Sequence, residues 1–320
     1  MTSQHSIVRK AMLAIGLVLL LVILAVWQRH LLLFTPWSNG TPPAFLNTQL
    51  ELSPGSYWYD DYFLVEPIDS RTFAIGEPRY AQQNYSYLIL GDERAILFDA
   101  GPGIRDIRPV TATLTDLPIT FVPSHFHFDH IGNTVTFERV AVPDLPYLRA
   151  RAVDNALALT WREHLGSTEG FAAPTLDVDD WLALDSVLEL GDRSLRVIYT
   201  PGHTEDSISL LDLGSGAVFS GDFLYPGNLY AFMPTSNMGS YLQGAETLLE
   251  LIEIGTPIYG AHRGPEPVIP RLGVNDMRDL HGALIRIRDK ELDGEDTYPV
   301  FYPVNDKPDI LAEPRVLQSW

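Results

Sequence analysis

The segment Ser124-His125-Phe126-His127-Phe128-Asp129-His130 packs three imidazoles and a carboxylate into the six residues that start at His125. Neutral ring nitrogens and carboxylate oxygens hold a borderline-soft divalent ion while leaving a coordination position for water, so the cluster reads as a metal-binding one. His125 and His127 lie two apart, and on extended backbone their side chains leave the same side of the chain and converge on one ion. Asp129 and His130 follow a bend and face a second. Three later residues complete the count, each beside small, turn-forming neighbours at a predicted strand end: His203 in Thr200-Pro201-Gly202-His203-Thr204, Asp222 in Ser220-Gly221-Asp222, and His262 in Gly260-Ala261-His262. One such histidine alone is ordinarily a core or turn residue. Together with the dense cluster they form a ligand set. Cysteine is absent from the chain, which excludes disulfides, thiolate nucleophiles and sulfur-ligated metal.

The elements that must carry these residues are short strands and turns. The β-branched run 119–122 closed by Pro123 is a strand end, so the cluster sits on a loop leaving a sheet edge. Further strands are expected at 73–75, 85–90 and 94–98, with Gly91-Asp92-Glu93 as a hairpin turn. Two more hairpins are expected, 188–190 with 195–199 and 208–213 with 217–220, followed by a short strand at 257–259. Helices are expected at 106–114, 149–164, 241–254 and 275–291. Hairpins that alternate with helices predict an α/β fold of stacked sheets with helices outside them. The tail beyond Pro299 is punctuated by Pro303, Pro308 and Pro314 and is expected to cover part of the domain or the site entrance.

The gross composition narrows the partners. At 320 residues, 46% hydrophobic and 20% charged, the chain has a folding composition and enough length for a sizeable core. Its formal net charge of -19 repels nucleic-acid phosphates, which disfavours DNA or RNA as substrate. A bound metal pair reverses the local field, so small anions stay open as substrates.

Arg9-Lys10 precede an uncharged apolar run from residue 11 to 27, which continues after Gln28-Arg29-His30 into residues 31–34. Apolar residues lie all round the helix, and no small-residue cleavage site stands out near 25–29, so residues 1–34 are expected to be an uncleaved single-pass anchor. The leading basic pair predicts a cytoplasmic N-terminus and an extracytoplasmic catalytic domain. A Pro- and Gly-rich connector over 35–56 then leads to the domain at 57–320.

With the motif, the histidine after Pro-Gly, the Gly-Asp pair and the final histidine in place, the chain resembles the metallo-β-lactamase superfamily from about Phe73 to His262. The resemblance implies a four-layer αββα sandwich and two divalent ions, usually zinc. By position it assigns His125, His127 and His203 to one ion and Asp129, His130 and His262 to the other, with Asp222 between them. Asp99 in Phe98-Asp99-Ala100-Gly101 matches the early turn whose carboxylate supports the ligand loop. The set is similar to that of glyoxalase II and N-acyl homoserine lactonases. It implies hydrolysis of a lactone, ester or related carbonyl bond in a small acylated substrate, with Asp129 also handling the proton of the attacking water. Tyr225, three residues after Asp222, stands at the offset of the lactonase tyrosine and is expected to assist the carbonyl and leaving group. Its neighbours Leu224, Leu229, Tyr230, Phe232 and Met233 are expected to line an acyl pocket. The stretch from Leu224 to Phe232 also resembles superfamily members with acyl-thioesterase activity, so thioester hydrolysis is an alternative. A small or lipid phosphodiester and a non-enzymatic metal-binding scaffold are the others. Asn133 and Glu205-Asp206 depart from the glyoxalase II pattern, which disfavours hydroxyacylglutathione.

Overall fold

The computed structural model describes residues 2–34, 38, 40–47, 50–264 and 269–320. Two compact units emerge: the described residues up to Pro42 with Ser167–Phe171, and Pro43–Gly166 with Ala172–Trp320. The first unit contains the helix Thr2–Trp27 and a short helix Arg29–Phe34. Within it Val8–Trp27 has a mean hydropathy of 2.6 and no buried share, long and apolar enough to cross a membrane. Ser38 Oγ donates to the Ser167 carbonyl at 2.9 Å, which joins the two stretches of this unit. The described part of the expected 35–56 connector carries neither helix nor strand, and the rest of it lies outside the described residues.

The second unit is built on two six-stranded sheets. The first runs in chain order through Tyr57–Trp58, Leu64–Asp69, Thr72–Gly76, Tyr85–Leu90, Ala95–Phe98 and Ile119–Val122. Only its last pair is parallel, and the helix Arg108–Leu114 makes the crossover between those two strands. The second runs Val187–Glu189, Ser194–Tyr199, Ile208–Asp212, Val218–Gly221, Pro257–Gly260 and Arg271–Gly273. Here Val218–Gly221 and Pro257–Gly260 are the parallel pair, joined through the helix Met238–Leu251. Parallel strands end at the same edge. Asp99 and the 124–130 loop therefore leave the first sheet side by side, as Asp222 and His262 leave the second.

Alternation fixes which residues face inward. Tyr87, Ile89, Ile96 and Phe98 of the first sheet meet Leu195, Val197, Leu210 and Phe219 of the second in one core. Leu88, Leu97 and Phe121, which alternate with the inward residues, are fully buried too, so the first sheet is covered on both faces. The helices Met238–Leu251 and Val274–Arg288 cover the outer face of the second through Tyr241, Leu248, Met277 and Leu284. Helices outside two stacked sheets give the αββα arrangement. At the functional edge the sheets are stitched together, because the Tyr85 amide donates to the Ala261 carbonyl at 2.7 Å.

One expectation needs correction. The helix expected at 149–164 is instead a helix Pro146–Arg149, a strand Ala156–Ala158 and a helix Trp161–His164. Asp154 and Asn155 take positive φ (51° and 65°) and turn the chain, and Ala156–Ala158 pairs with Thr175–Asp177, so sheet pairing overrides helical composition. The Pro-rich tail covers part of the domain through Val300, Tyr302, Ile310 and Ala312, and it does so as strands. Val300–Pro303 and Pro308–Ala312 form a small sheet with Gly227–Ala231. Pro308 opens its strand, where its missing N–H costs little.

Away from the functional edge, buried Arg193 ties the sheets together: it donates to Asp212 Oδ2 at 2.7 Å, Thr72 Oγ1 at 2.9 Å and the Leu90 carbonyl at 3.2 Å. Arg193→Ala would strand a buried carboxylate, so urea unfolding should show a loss of about 3–5 kcal/mol.

Candidate metal centre

The centre is assembled from loops at the strand ends described above. Phe128–Ile131 forms a single helical turn whose bend separates His127 from Asp129 and His130. Gly221, at φ +52°, passes so close to Ser124 that an added Cβ would lie 2.4 Å from the serine Cβ. Only glycine lets the Asp222 loop close on the histidine loop.

Three groups of side chains come within 4.8 Å of one another: His125, His127 and His203; His125, His130 and Asp222; Asp129, His130 and His262. All seven residues singled out in the sequence as ligands are brought together and buried. In the first group His127 Nδ1 faces His125 Nε2 at 2.9 Å and His203 Nε2 at 3.0 Å. In the second, His130 Nε2 and His262 Nε2 each lie 3.5 Å from Asp129 Oδ2. Asp222 spans both, with Oδ1 at 3.0 Å from His262 Nε2 and Oδ2 at 3.4 Å from His203 Nε2.

The outer nitrogens set the inner ones. Ser124 Oγ donates to Asp99 Oδ2 at 2.9 Å, so it accepts from His125 Nδ1 at 3.0 Å and leaves Nε2 as a lone pair. His130 Nδ1 donates to Asp99 Oδ2 at 2.9 Å, His203 Nδ1 to the Tyr230 carbonyl at 2.7 Å, and His262 Nδ1 to the Gln82 carbonyl at 2.9 Å. Lone pairs on His125 Nε2 and His203 Nε2 then both face His127 Nδ1, which carries at most one proton to share between them. His130 Nε2 and Asp222 Oδ1 are also buried without a hydrogen-bond partner. A donor set of this kind, all nitrogen and oxygen, fits divalent cations.

The electrostatics agree. Burial, reinforced by neighbouring imidazoles, holds His125 and His127 well below the ordinary histidine range, and burial also lowers His203 against the pull of Asp222. These three are neutral, the form that ligates metal. Burial opposes charge on His130 and His262 as well, yet Asp129 and Asp222 outweigh it and raise both. Burial would raise Asp222, but His262 and His130 hold it well below the carboxylate range. With only protein charges present, the second group finds its positive charge in protons, the role a cation takes over.

Asp99 sits where the sequence places it, with φ +64°, and also accepts from the Ser124 amide at 2.6 Å. Tyr225 packs edge-on against His262 with ring centroids 5.0 Å apart, but its hydroxyl donates to the Asn228 carbonyl. That proton is already committed. Leu224 and Leu229 belong to the core under the second sheet and do not line a pocket, because the alternation of Gly227–Ala231 turns Leu229 inward and leaves Tyr230 half-buried. Sequence reasoning missed Asn84, whose Nδ2 donates to Asp129 Oδ2 at 3.0 Å and to the Asp129 carbonyl at 2.9 Å. Its only signal is a position just ahead of a strand. It missed Ser124 as well, although that residue opens the motif.

A model of the metallo-beta-lactamase superfamily matches residues 79–262. The chain belongs to the metallo-beta-lactamase superfamily. It is an enzyme, a metal-dependent hydrolase. It is 31% identical over 215 residues to the acyl-coenzyme A thioesterase MBLAC2 of Gallus gallus, spanning 61% of this chain and 78% of that one. To the human protein of the same name it is 31% identical over 228 residues, covering 62% and 78%. The fold is similar to that of a metallo-beta-lactamase from Pontibacter korlensis, with a TM-score of 0.53, 18% identity, and 70% and 99% of the two chains covered.

Because Asp99 orients both His125, through Ser124, and His130, Asp99→Asn should turn an amide N–H toward His130 Nδ1–H and disrupt that orientation. Competition with a fluorescent chelator should show metal affinity reduced roughly 10- to 100-fold while the fold persists.

Proposed function

We propose that this hydrolase is an acyl thioesterase that binds two divalent ions, zinc being one that its imidazole-rich donors suit, and acts on a small acylated thiol. The observation that carries this reading is the match to acyl-coenzyme A thioesterases over 78% of their length, on a chain that keeps all seven donors. It moves the weight from a lactone or oxoester, the leading expectation from the sequence, to the thioester alternative. The engaged hydroxyl of Tyr225 points the same way, since the lactonase-like role needs that hydroxyl at the carbonyl.

His125, His127 and His203 would hold one ion, Asp129, His130 and His262 the other, and Asp222 would lie between them. What the ions supply when bound is Lewis acidity, an activated water and a polarised carbonyl. The chain's own groups do the rest. Burial of the donors keeps bulk water from screening them. Asn84 fixes the Asp129 carboxylate, which takes the proton of the attacking water. Hydrolysis forms a C–O bond to the water oxygen, breaks the C–S bond and passes a proton to the departing sulfur, giving a carboxylic acid and a thiol. Tyr225 positions the loop that follows it, because Asn228 and Tyr230 lie on one strand and the Tyr230 carbonyl holds His203.

We read the apolar helix Val8–Trp27 as a single-pass anchor, with Arg9 and Lys10 favouring an extracytoplasmic domain.

The test is turnover on matched acyl thioester, acyl-homoserine lactone and bis-aryl phosphodiester probes, before and after chelation and metal return, with a membrane-impermeant thioester added to intact cells. The thioester should be the preferred probe, chelator-sensitive and cleaved outside the cell, and Asp222→Ala should lose both metal and nearly all turnover. A preference for the lactone would sink the thioester reading, and cleavage only after lysis would reverse the orientation.

A further inference from the structure

One histidine near the centre has no place in the ligand set. His164 ends the short helix Trp161–His164, which is fixed by three contacts: the Glu163 carboxylate accepts from the Thr160 amide at 2.8 Å, Arg151 pairs with Glu163, and Arg162 Nη2 donates to the Pro234 carbonyl at 3.0 Å. Leu165 then takes a left-handed φ of 55° and turns the chain back. The residue is only 4% exposed, and neither ring nitrogen hydrogen-bonds another described residue, although both keep some accessible surface.

The ring is held beside the metal loop. It stands edge-on to Phe128, the residue between His127 and Asp129, with centroids 6.3 Å apart. Gly166 packs beside Phe128 against the Cε1–Nδ1 edge of the ring: an added Cβ there would lie 2.5 Å from His164 Cε1, 2.7 Å from Nδ1 and 2.9 Å from Phe128 Cβ. Burial lowers the imidazole to about 4, with Asp129 the charge that opposes it, so the ring is neutral at physiological pH. Ring nitrogens that keep some accessible surface and have no protein partner are free to hydrogen-bond an incoming molecule. A neutral imidazole offers one donor and one acceptor, and a site this buried penalises a charged partner. An uncharged group with the complementary pair, an amide, fits.

We propose that His164 is a substrate-binding residue that hydrogen-bonds an amide on the thiol side of the scissile thioester. The proposal rests on the thioesterase reading above, and it narrows the substrate class. The thiol arm of coenzyme A carries such an amide two carbons from its sulfur, whereas a simple alkyl thiol carries none.

The experiment compares wild type, His164→Ala and His164→Gln on two probes with the same acyl group, an N-acetylcysteamine thioester and a hexanethiol thioester, with metal content measured for each protein. For His164→Ala, kcat/KM on the amide-bearing probe should fall roughly five- to tenfold, mainly through KM, as expected for one lost uncharged hydrogen bond. The alkyl probe should change less than about twofold on the same reasoning, metal content should hold, and His164→Gln, which keeps a donor and an acceptor, should recover part of the loss. Equal losses on both probes, loss of metal, or a glutamine variant no better than alanine would overturn the proposal and leave His164 as packing. Wild type that cleaves neither thioester is a different result: it removes the thioesterase reading, and this proposal with it.

Discussion

The Asp99 carboxylate is the constraint on which the centre depends. It accepts from the Ser124 amide and hydroxyl and from His130 Nδ1, so one side chain sets the start of the histidine loop, the tautomer of His125 and the orientation of His130. It does so from φ +64°, a region that costs a non-glycine residue about 1 kcal/mol or more. The surrounding hydrogen bonds hold that conformation. The parallel pairing of Ala95–Phe98 with Ile119–Val122 makes the contact possible, because it delivers Asp99 and Ser124 to the same edge.

The second sheet repeats this arrangement. Val218–Gly221 and Pro257–Gly260 end together and present Asp222 and His262, while Ser194–Tyr199 leads to the His203 loop. Two rigid sheets thus fix side chains that lie far apart in sequence, and each histidine of the candidate donor set except His127 is oriented by a partner on its outer nitrogen. A ligand set built this way is preorganised, so metal binding spends little on ordering side chains.

Much of this was legible in the sequence, for physical reasons. Strands and hairpins showed because β-branched runs are bounded by turn residues such as Gly91-Asp92-Glu93, and the seven candidate donors stood out because they cluster or stand within two residues of glycine. What failed depended on long-range pairing. The 149–164 segment has helical composition, but Ala156–Ala158 finds a strand partner at Thr175–Asp177. The tail's strands are visible only once Gly227–Ala231 is there to pair with Pro308–Ala312. Asn84 and the carbonyls of Gln82 and Tyr230 carry no motif, since a backbone acceptor is the same for every residue. The Tyr225 offset led to an expected role at the carbonyl and leaving group; its ring meets His262, and which atom its hydroxyl bonds is decided by the fold of the following strand.

The most direct test of the two-ion centre is anomalous diffraction at the metal edge from crystals of the protein as isolated. The account predicts two peaks, one against His127 Nδ1 with His125 and His203, the other against His130 Nε2 with Asp129 and His262, and the Asp222 carboxylate between them. A single peak, or peaks away from these atoms, would contradict it.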